Sequence, residues 1–319
     1  MYLADVLGVS DPDAIAVLGI GGGGDVVGAC HTLRWVRDEL DPDVLVVGGL
    51  TWERSVVDPE PGPRSRDEIV GDVVWIHERV GVLRGEARPR RGKPFAESRV
   101  RRALRRLGFE DVEVVLLDVG GGFEGTVEAL EAMFEEFGLD VLVGVDVGGD
   151  ALAKGNEPGV ESPLADSIMT ASLAELNDTV MGVFGWGSDG ELSLEELRER
   201  FAEIASKGGY LGAIGLTRSD VEFLGEILRD VETEASALPV MAASEGELGP
   251  FEIRGGHRRV VLEPASTCTF YFDPAKVAED SELCDAVRGT RSVLEAHERV
   301  RERLGIKTEL DWESEGGVR

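Results

Sequence analysis

Five short apolar runs end in loops that combine glycine with acid. GIGGGGDVVG (19–28) follows the first run, GGLTWER (48–54) the second and DVGGGFEG (118–125) the third. DVGGDALAKGNE (146–157) follows the fourth and GWGSDG (185–190) the fifth. Glycine lets backbone N–H groups approach a ligand closely, and the N-terminus of a following helix favours negative charge. Gly21, Gly22, Gly23 and Gly24 are therefore candidate residues for an anion cradle, with Gly120, Gly121 and Ser162 at comparable strand-to-helix turns. Trp52 and Arg54 follow the second run, where an aromatic face can stack on a base and a guanidinium can pair with phosphate.

Asp25, Asp118, Asp146 and Asp150 sit at the ends of these runs. Carboxylates converging there would supply hard oxygen ligands for Mg²⁺, and a cation held between them and a phosphorylated substrate reconciles acids with an anion cradle. The plainer reading is that these aspartates cap helices and bind turn backbone. The stretch 146–166 is the richest candidate for catalysis: Glu157 as general base, Asn156 as a polarising donor and Lys154 as a point charge on a phosphate or carboxylate. A solvated loop lysine is the alternative for Lys154. Gly19, Gly21 and Gly24 fit a G-x-G-x-x-G dinucleotide loop, yet the second run ends in Gly48-Gly49 where that reading wants an acid, so NAD is not the expected cofactor. No GK[ST] follows any glycine loop, and no HxH, HExxH or G-x-S-x-G pattern occurs.

Such loops need strands to aim them. The apolar runs 14–20, 44–47, 112–119, 141–147 and 179–184 read as buried strands, and 25–40, 95–107, 124–137, 162–176 and 192–206 carry helical spacing. Alternating strands and helices predict an α/β protein with a doubly wound, Rossmann-like, mainly parallel sheet and helices on both faces. Asp25 and Ser162 are expected as helix caps. After residue 207 the pattern loosens into a helix at 219–231, strands at 259–262 and 268–272 and a helix at 290–304, expected to complete or flank the same sheet of one domain spanning 1–319. The Pro- and Gly-rich stretches 57–66 and 85–94 read as loops, and 309–319 as a frayed tail.

Hydrophobic residues make up 42% and aromatics 6% of the 319, so the core must be built from Val, Leu, Ile and Ala, which suits buried parallel strands. The formal net charge is −29, and only five of the 33 basic residues are lysine. A surface so acidic and lysine-poor reads as adaptation to a salty cytosol, and it argues against nonspecific binding to nucleic acid or anionic membrane. Against this trend, 84–106 holds ten basic and two acidic residues, a guide for an anionic ligand or one side of an ion-pair network within the subunit or across a homo-oligomer. Cys30, Cys268 and Cys284 have no ligand spacing and read as reduced thiols. No leader pattern and no run of 18 apolar residues appears, so a soluble cytoplasmic protein is expected.

GIGGGGDVVGA (19–29), GGLTWER (48–54), DVGGD (146–150), GVESPLADS (159–167) and TFYFDP (269–274) together resemble an archaeal family known as domain of unknown function 1152. The resemblance covers nearly the whole length and implies a cytosolic archaeal protein, but no activity. A looser pattern, a glycine pair flanked by Asp and followed by Asn-Glu, is similar to a run in D-glutamate cyclase. Asp150 stands where that pattern has Asn, so no catalytic residue is carried over. The leading expectation is a metal-assisted enzyme, with Mg²⁺ as cofactor, acting on a small anionic metabolite of the nucleotide or sugar-phosphate kind. A metal-free lyase or cyclase acting on an amino-acid-like carboxylate through Lys154, and a non-catalytic metabolite-binding or assembly subunit, are the two rivals.

Overall fold

The computed structural model describes residues 2–54, 58 and 61–314. In those residues the central sheet has nine strands: β1 (Ala14–Gly19), β2 (Val44–Leu50), β3 (Ile69–His77), β4 (Val80–Pro89), β5 (Glu113–Leu117), β6 (Val141–Val147), β7 (Thr179–Phe184), β8 (Tyr210–Gly215) and β9 (Cys268–Phe272). Their spatial order is β8-β9-β7-β6-β1-β2-β5-β4-β3. The inner five, β7-β6-β1-β2-β5, run parallel, as the buried apolar runs predict. Two antiparallel strands extend each edge, β9 and β8 on one side and β4 and β3 on the other.

The parallel strands are covered on both faces. In β1, Ile15 and Val17 face a core shared with α1 (Asp25–Glu39), α2 (Ala96–Arg106) and a helix at Arg218–Leu228. Ala16 and Leu18 face the opposite core, shared with α3 (Gly122–Phe137), α4 (Pro163–Glu175) and α5 (Leu194–Ser206). Alternate side chains on a pleated strand point to opposite faces, so an uninterrupted apolar run serves two helical layers. From β1 the chain moves outward through β2 to the edge hairpin β3-β4, returns to β5, then crosses back to place β6 and β7 on the other side of β1. The order reverses between β1 and β6, and open α/β sheets bind ligands in the crevice outside the strand ends at that point.

Several expectations need correction. The stretch 85–94 is not all loop, since 85–89 belong to β4, and β3 was not anticipated. In 57–66, residues 57, 59 and 60 lie outside the described residues, while Gly62–Pro63 pairs with Trp52–Glu53. The strand-like 259–262 joins a separate hairpin, Gly249–Ile253 against Arg258–Leu262, rather than the sheet. The basic stretch makes ion pairs within the subunit: Arg84 with Glu113, Lys93 with Glu232, and Arg102 and Arg106 with Asp230. All three cysteines are free, and no described helix is long and apolar enough to cross a membrane.

The tail is the clearest correction. Residues 315–319 lie outside the described residues, but Glu309–Ser314 forms a helix, α6, whose Glu309 is fully buried. Glu309 accepts hydrogen bonds from Leu164 N–H (2.8 Å) and Ala165 N–H (2.9 Å) at the start of α4. Ser162, expected to cap that helix, makes no such bond. A carboxylate borrowed from 145 residues away does the capping, favoured by the helix dipole. Glu309→Ala should therefore lower stability by about 1–3 kcal/mol, the usual cost of stranding buried donors, read as a lower urea midpoint. An unchanged midpoint would return α6 to the status of a tail.

Candidate functional site

The crevice at the switch point is a cavity of about 100 Å³, room for several waters or for a cation and a small anionic group. Each parallel strand beside it contributes a loop. After β1, Gly22 and Gly23 take left-handed conformations (φ 83° and 56°) and turn the chain into α1. Asp25 does not cap the helix in the usual sense: its Oδ2 accepts from Gly21 N–H at 2.8 Å. Gly23 N–H is also taken, by the carbonyl of Trp52 at 2.9 Å. Part of the expected anion cradle is thus occupied by the chain's own acceptors.

What the glycines provide instead is room for acids. A Cβ on Gly21 would lie 2.6 Å from Asp25 Oδ2 and 2.9 Å from Asp166 Oδ1. A Cβ on Gly148, after β6, would lie 2.2 Å from the Asp189 carboxyl. Carboxylates can gather here because these positions have no side chain.

Two groups of three result. Asp25, Asp146 and Asp166 place oxygens within 4.8 Å of one another, and so do Asp150, Asp189 and Glu191. Asp146 is still on β6, Asp150 opens a single helical turn after Gly148-Gly149, and Asp166 lies one turn into α4. Asp189 and Glu191 come from the loop after β7. Asp146, Asp166 and Asp189 are buried, yet Asp146 Oδ2, Asp166 Oδ1 and Asp189 Oδ1 have no hydrogen-bond partner among the described residues. Buried polar atoms are nearly always satisfied, so three orphan carboxylate oxygens lining one cavity are sites for a proton, a water or a cation.

Electrostatics divides the two groups. Burial pushes Asp25 up to about 7, with Gly21 N–H and Arg54 pulling it back. Asp146 and Asp166 stand well above the usual carboxylate range, chiefly through burial and then through neighbouring acids. In the second group burial also raises Asp150, and it raises Asp189 to about 7 with Glu191 adding to the effect. Glu191 goes the other way: although burial opposes its charge, Arg258 and Arg254 hold it down to about 2. Arg258 Nη1 lies 3.1 Å from Glu191 Oε1, and Glu191 also accepts from the N–H groups of Glu161 (2.7 Å) and Ser162 (2.9 Å). Ser162 Oγ lies 2.6 Å from Glu191 Oε1 and 3.1 Å from Asp150 Oδ2. Its single proton serves one of these, and the other contact closes when Asp150 carries a proton. Two arginines hold Glu191 charged, whereas Arg54 only partly offsets the burial of Asp25 and Asp166.

Gly21, Gly22, Gly23, Gly24, Asp25, Arg54, Asp146, Asp150 and Ser162, all singled out from sequence, line this one cavity. Others stand elsewhere. Asp118 accepts from Arg79 Nη1 (3.1 Å) and from Gly120 N–H (2.7 Å), and Gly121 packs on the same arginine, which holds that turn together away from the cavity. Trp52 is fully buried with its Nε1–H donating to Glu313 (2.9 Å), so it offers no face to a base. Lys154 Nζ is held by Glu203 at 2.9 Å. Glu157 accepts from the N–H groups of Lys154, Gly155 and Asn156 at 2.9, 2.9 and 3.1 Å, a staple for its own turn that leaves no oxygen directed to a substrate. Asn156 is exposed. None of these three lines the cavity, so the catalytic roles drawn for them from sequence find no setting there.

Six charged residues that line the cavity among the described ones were missed: Asp166, Asp189, Glu191, Glu232, Glu234 and Arg254. Asp166 had a signal, an acid inside the apolar helix PLADSIMTASLAE. Asp189 and Glu191 stood in a loop already noted for glycine and acid. Arg254, on the turn of the 249–262 hairpin, had no local signal at all.

No curated protein and no solved structure matches the chain. One family model does match, over residues 16–316, nearly the whole described length. The chain therefore belongs to the family described as protein of unknown function (DUF1152).

Proposed function

We propose that this chain is a divalent-cation-dependent enzyme acting on a small anionic metabolite of the nucleotide or sugar-phosphate kind. The observation that carries the reading is the group Asp25, Asp146 and Asp166: each places an oxygen within 4.8 Å of the others', and Asp146 and Asp166 each carry a buried oxygen without a hydrogen-bond partner among the described residues. Its donors are all carboxylate oxygens, without His or Cys, the set preferred by Mg²⁺ or Mn²⁺. A bound cation would supply Lewis-acid polarisation of a phosphoryl oxygen and an acidified water. Asp189, raised to about 7 with Oδ1 lacking a hydrogen-bond partner among the described residues, is suited to take or give a proton near neutral pH. Ser162 and Glu191 fix the position of Asp150 across the cavity.

At about 100 Å³ the cavity is smaller than the roughly 300 Å³ at which enclosed sites for larger ligands begin, so it would receive the anionic end of a metabolite and leave a base or sugar outside. The rival that routes chemistry through Lys154 loses support because Glu203 holds that ammonium outside the cavity.

The test is a turnover screen of nucleotides, sugar phosphates and amino acids in high-salt buffer, with Mg²⁺ and with chelator. Mg²⁺-dependent conversion of one phosphorylated class is the expected result. Binding without conversion would favour a metabolite-binding subunit, and conversion of carboxylates in chelator would favour the cyclase-like rival.

A further inference from the structure

The acidic half of the cavity explains a cation but not how an anion is held, and the glycine loop has already spent N–H groups on Asp25 and Trp52. Two other donors face the same space. Arg54 Nη1 and Arg254 Nη1 are buried atoms without a hydrogen-bond acceptor among the described residues, and both side chains line the cavity. Among the described residues each is ion-paired only loosely, Arg54 Nη1 at 3.6 Å from Glu309 and Arg254 at 3.6 Å from Glu161 and 3.7 Å from Glu191, while Arg54 Nη2 donates to the carbonyl of Gly21. Arg258 differs, since it sits tightly on Glu161 and Glu191. Arg254 is held by the fold in an uncommon conformation, with φ 53° on the hairpin turn and its own N–H donating to Glu234 at 2.8 Å. The hairpin therefore brings a guanidinium into the lining of the crevice, which Arg54 joins from the end of β2.

We propose that Arg254 and Arg54 form the binding site for a phosphoryl group, with Arg254 the residue that selects it. This rests on the cation reading above and names the ligand group that the cation would share. A guanidinium has five donors in a fixed fork and is matched by oxyanions, so loosely paired arginines in a cavity are incomplete without one. A terminal phosphoryl has three outer oxygens, enough to meet Arg54, Arg254 and a cation with one each; a carboxylate has two. The order of binding follows from charge: wherever Asp25, Asp146, Asp150, Asp166 and Asp189 have released their protons, they repel a dianion until a cation has neutralised part of them. Because linkage is reciprocal, phosphate should also tighten cation binding.

Inorganic phosphate is the probe, titrated calorimetrically into the full chain with Mn²⁺ and with chelator, with malonate as the carboxylate comparison. In wild type, phosphate binds far more tightly with Mn²⁺ than with chelator. Arg254→Ala should weaken phosphate about 10- to 100-fold, the loss of a charge-assisted pair, while Mn²⁺ affinity is kept or raised. Arg254→Lys should recover only part, because a point charge does not reproduce the fork. Phosphate bound equally by Arg254→Ala and wild type, or malonate preferred to phosphate, would overturn the assignment. A wild-type protein that binds no Mn²⁺ would instead overturn the cation reading, and phosphate binding in chelator that still depends on Arg254 would leave the arginine site standing without it.

Discussion

Asp146→Asn should weaken Mn²⁺ or Mg²⁺ at least about 100-fold and, in chelator at pH 8, make the protein more stable rather than less. The two effects share one cause. Asp146 is 1% exposed, its Oδ2 has no hydrogen-bond partner among the described residues, and the charges of Asp25 and Asp189 oppose its own. A buried carboxylate among carboxylates costs free energy unless a cation or a proton compensates it. Asn has nearly the same shape, its oxygen can still accept from Gly149 N–H, and its amide can donate to a neighbouring acid. Relief of that repulsion is worth about 1–3 kcal/mol, a rise of several degrees in Tm for a chain of this size. A cation would lose one of three ligand carboxylates and a full charge. Calorimetric titration and thermal melts of the same preparation read both sides. Unaltered Mn²⁺ affinity would remove Asp146 from the cation site, and a lower Tm in chelator would mean that the carboxylate holds the fold together.

Much of this architecture was legible because parallel strands buried on both faces leave little ambiguity. β1, β6 and β7 read as uninterrupted apolar runs ending in glycine, and their loops could be assigned to one crevice before any strand order was known. The edge hairpin was not legible. In β3, IVGDVVWIH, most side chains are partly or fully exposed, so the sequence alternates weakly, and β4 ends in GEARP, whose glycine and proline look like a loop. Edge strands need only one covered face and tolerate such residues. The tail misled for a related reason. ELDWES has too few apolar residues to show a period, and what docks it are two carboxylates, Glu309 on two N–H groups of α4 and Glu313 on Trp52 Nε1–H.

The site was half legible for the same physical reason. Residues immediately after strands converge by topology, which is why Asp25, Arg54, Asp146 and Asp150 could be grouped from the sequence. Asp166 and Arg254 reach the cavity from a helix interior and from a separate hairpin, so their placement depends on tertiary packing. Lys154, Asn156 and Glu157 looked rich in chemistry because loops that must satisfy their own backbone use the same residue types. Glu157, with three backbone N–H groups on its carboxylate, is the case in point.

The metal-free protein should lose stability as pH rises from about 4 through about 7, and a saturating cation should reverse that loss. Asp189 is 5% exposed and titrates near 7 in the folded chain against 3.8 for an ordinary aspartate. Between those values the folded state holds a proton that the unfolded state has released, so stability falls with rising pH, on the order of 4 kcal/mol for this group alone. Asp25, also raised to about 7, moves the same way, and Asp146, Asp150 and Asp166 share its direction. Their contributions do not add, because each proton bound relieves its neighbours. Glu191 opposes them only at the acid end: held near 2, it contributes stability that is present above about 4.5 and lost as pH falls through 2. Cation binding at pH 6 should therefore release protons, and the Tm gain on adding Mg²⁺ should grow from pH 5 to pH 8. Melts across that range in chelator and in Mg²⁺, with binding heats compared in buffers of different ionisation enthalpy, read both effects. A chelator Tm that climbs from pH 5 to pH 8, or Mg²⁺ binding that releases no protons at pH 6, would mean that these carboxylates are already compensated in the folded chain, and the cation site would lose its driving force.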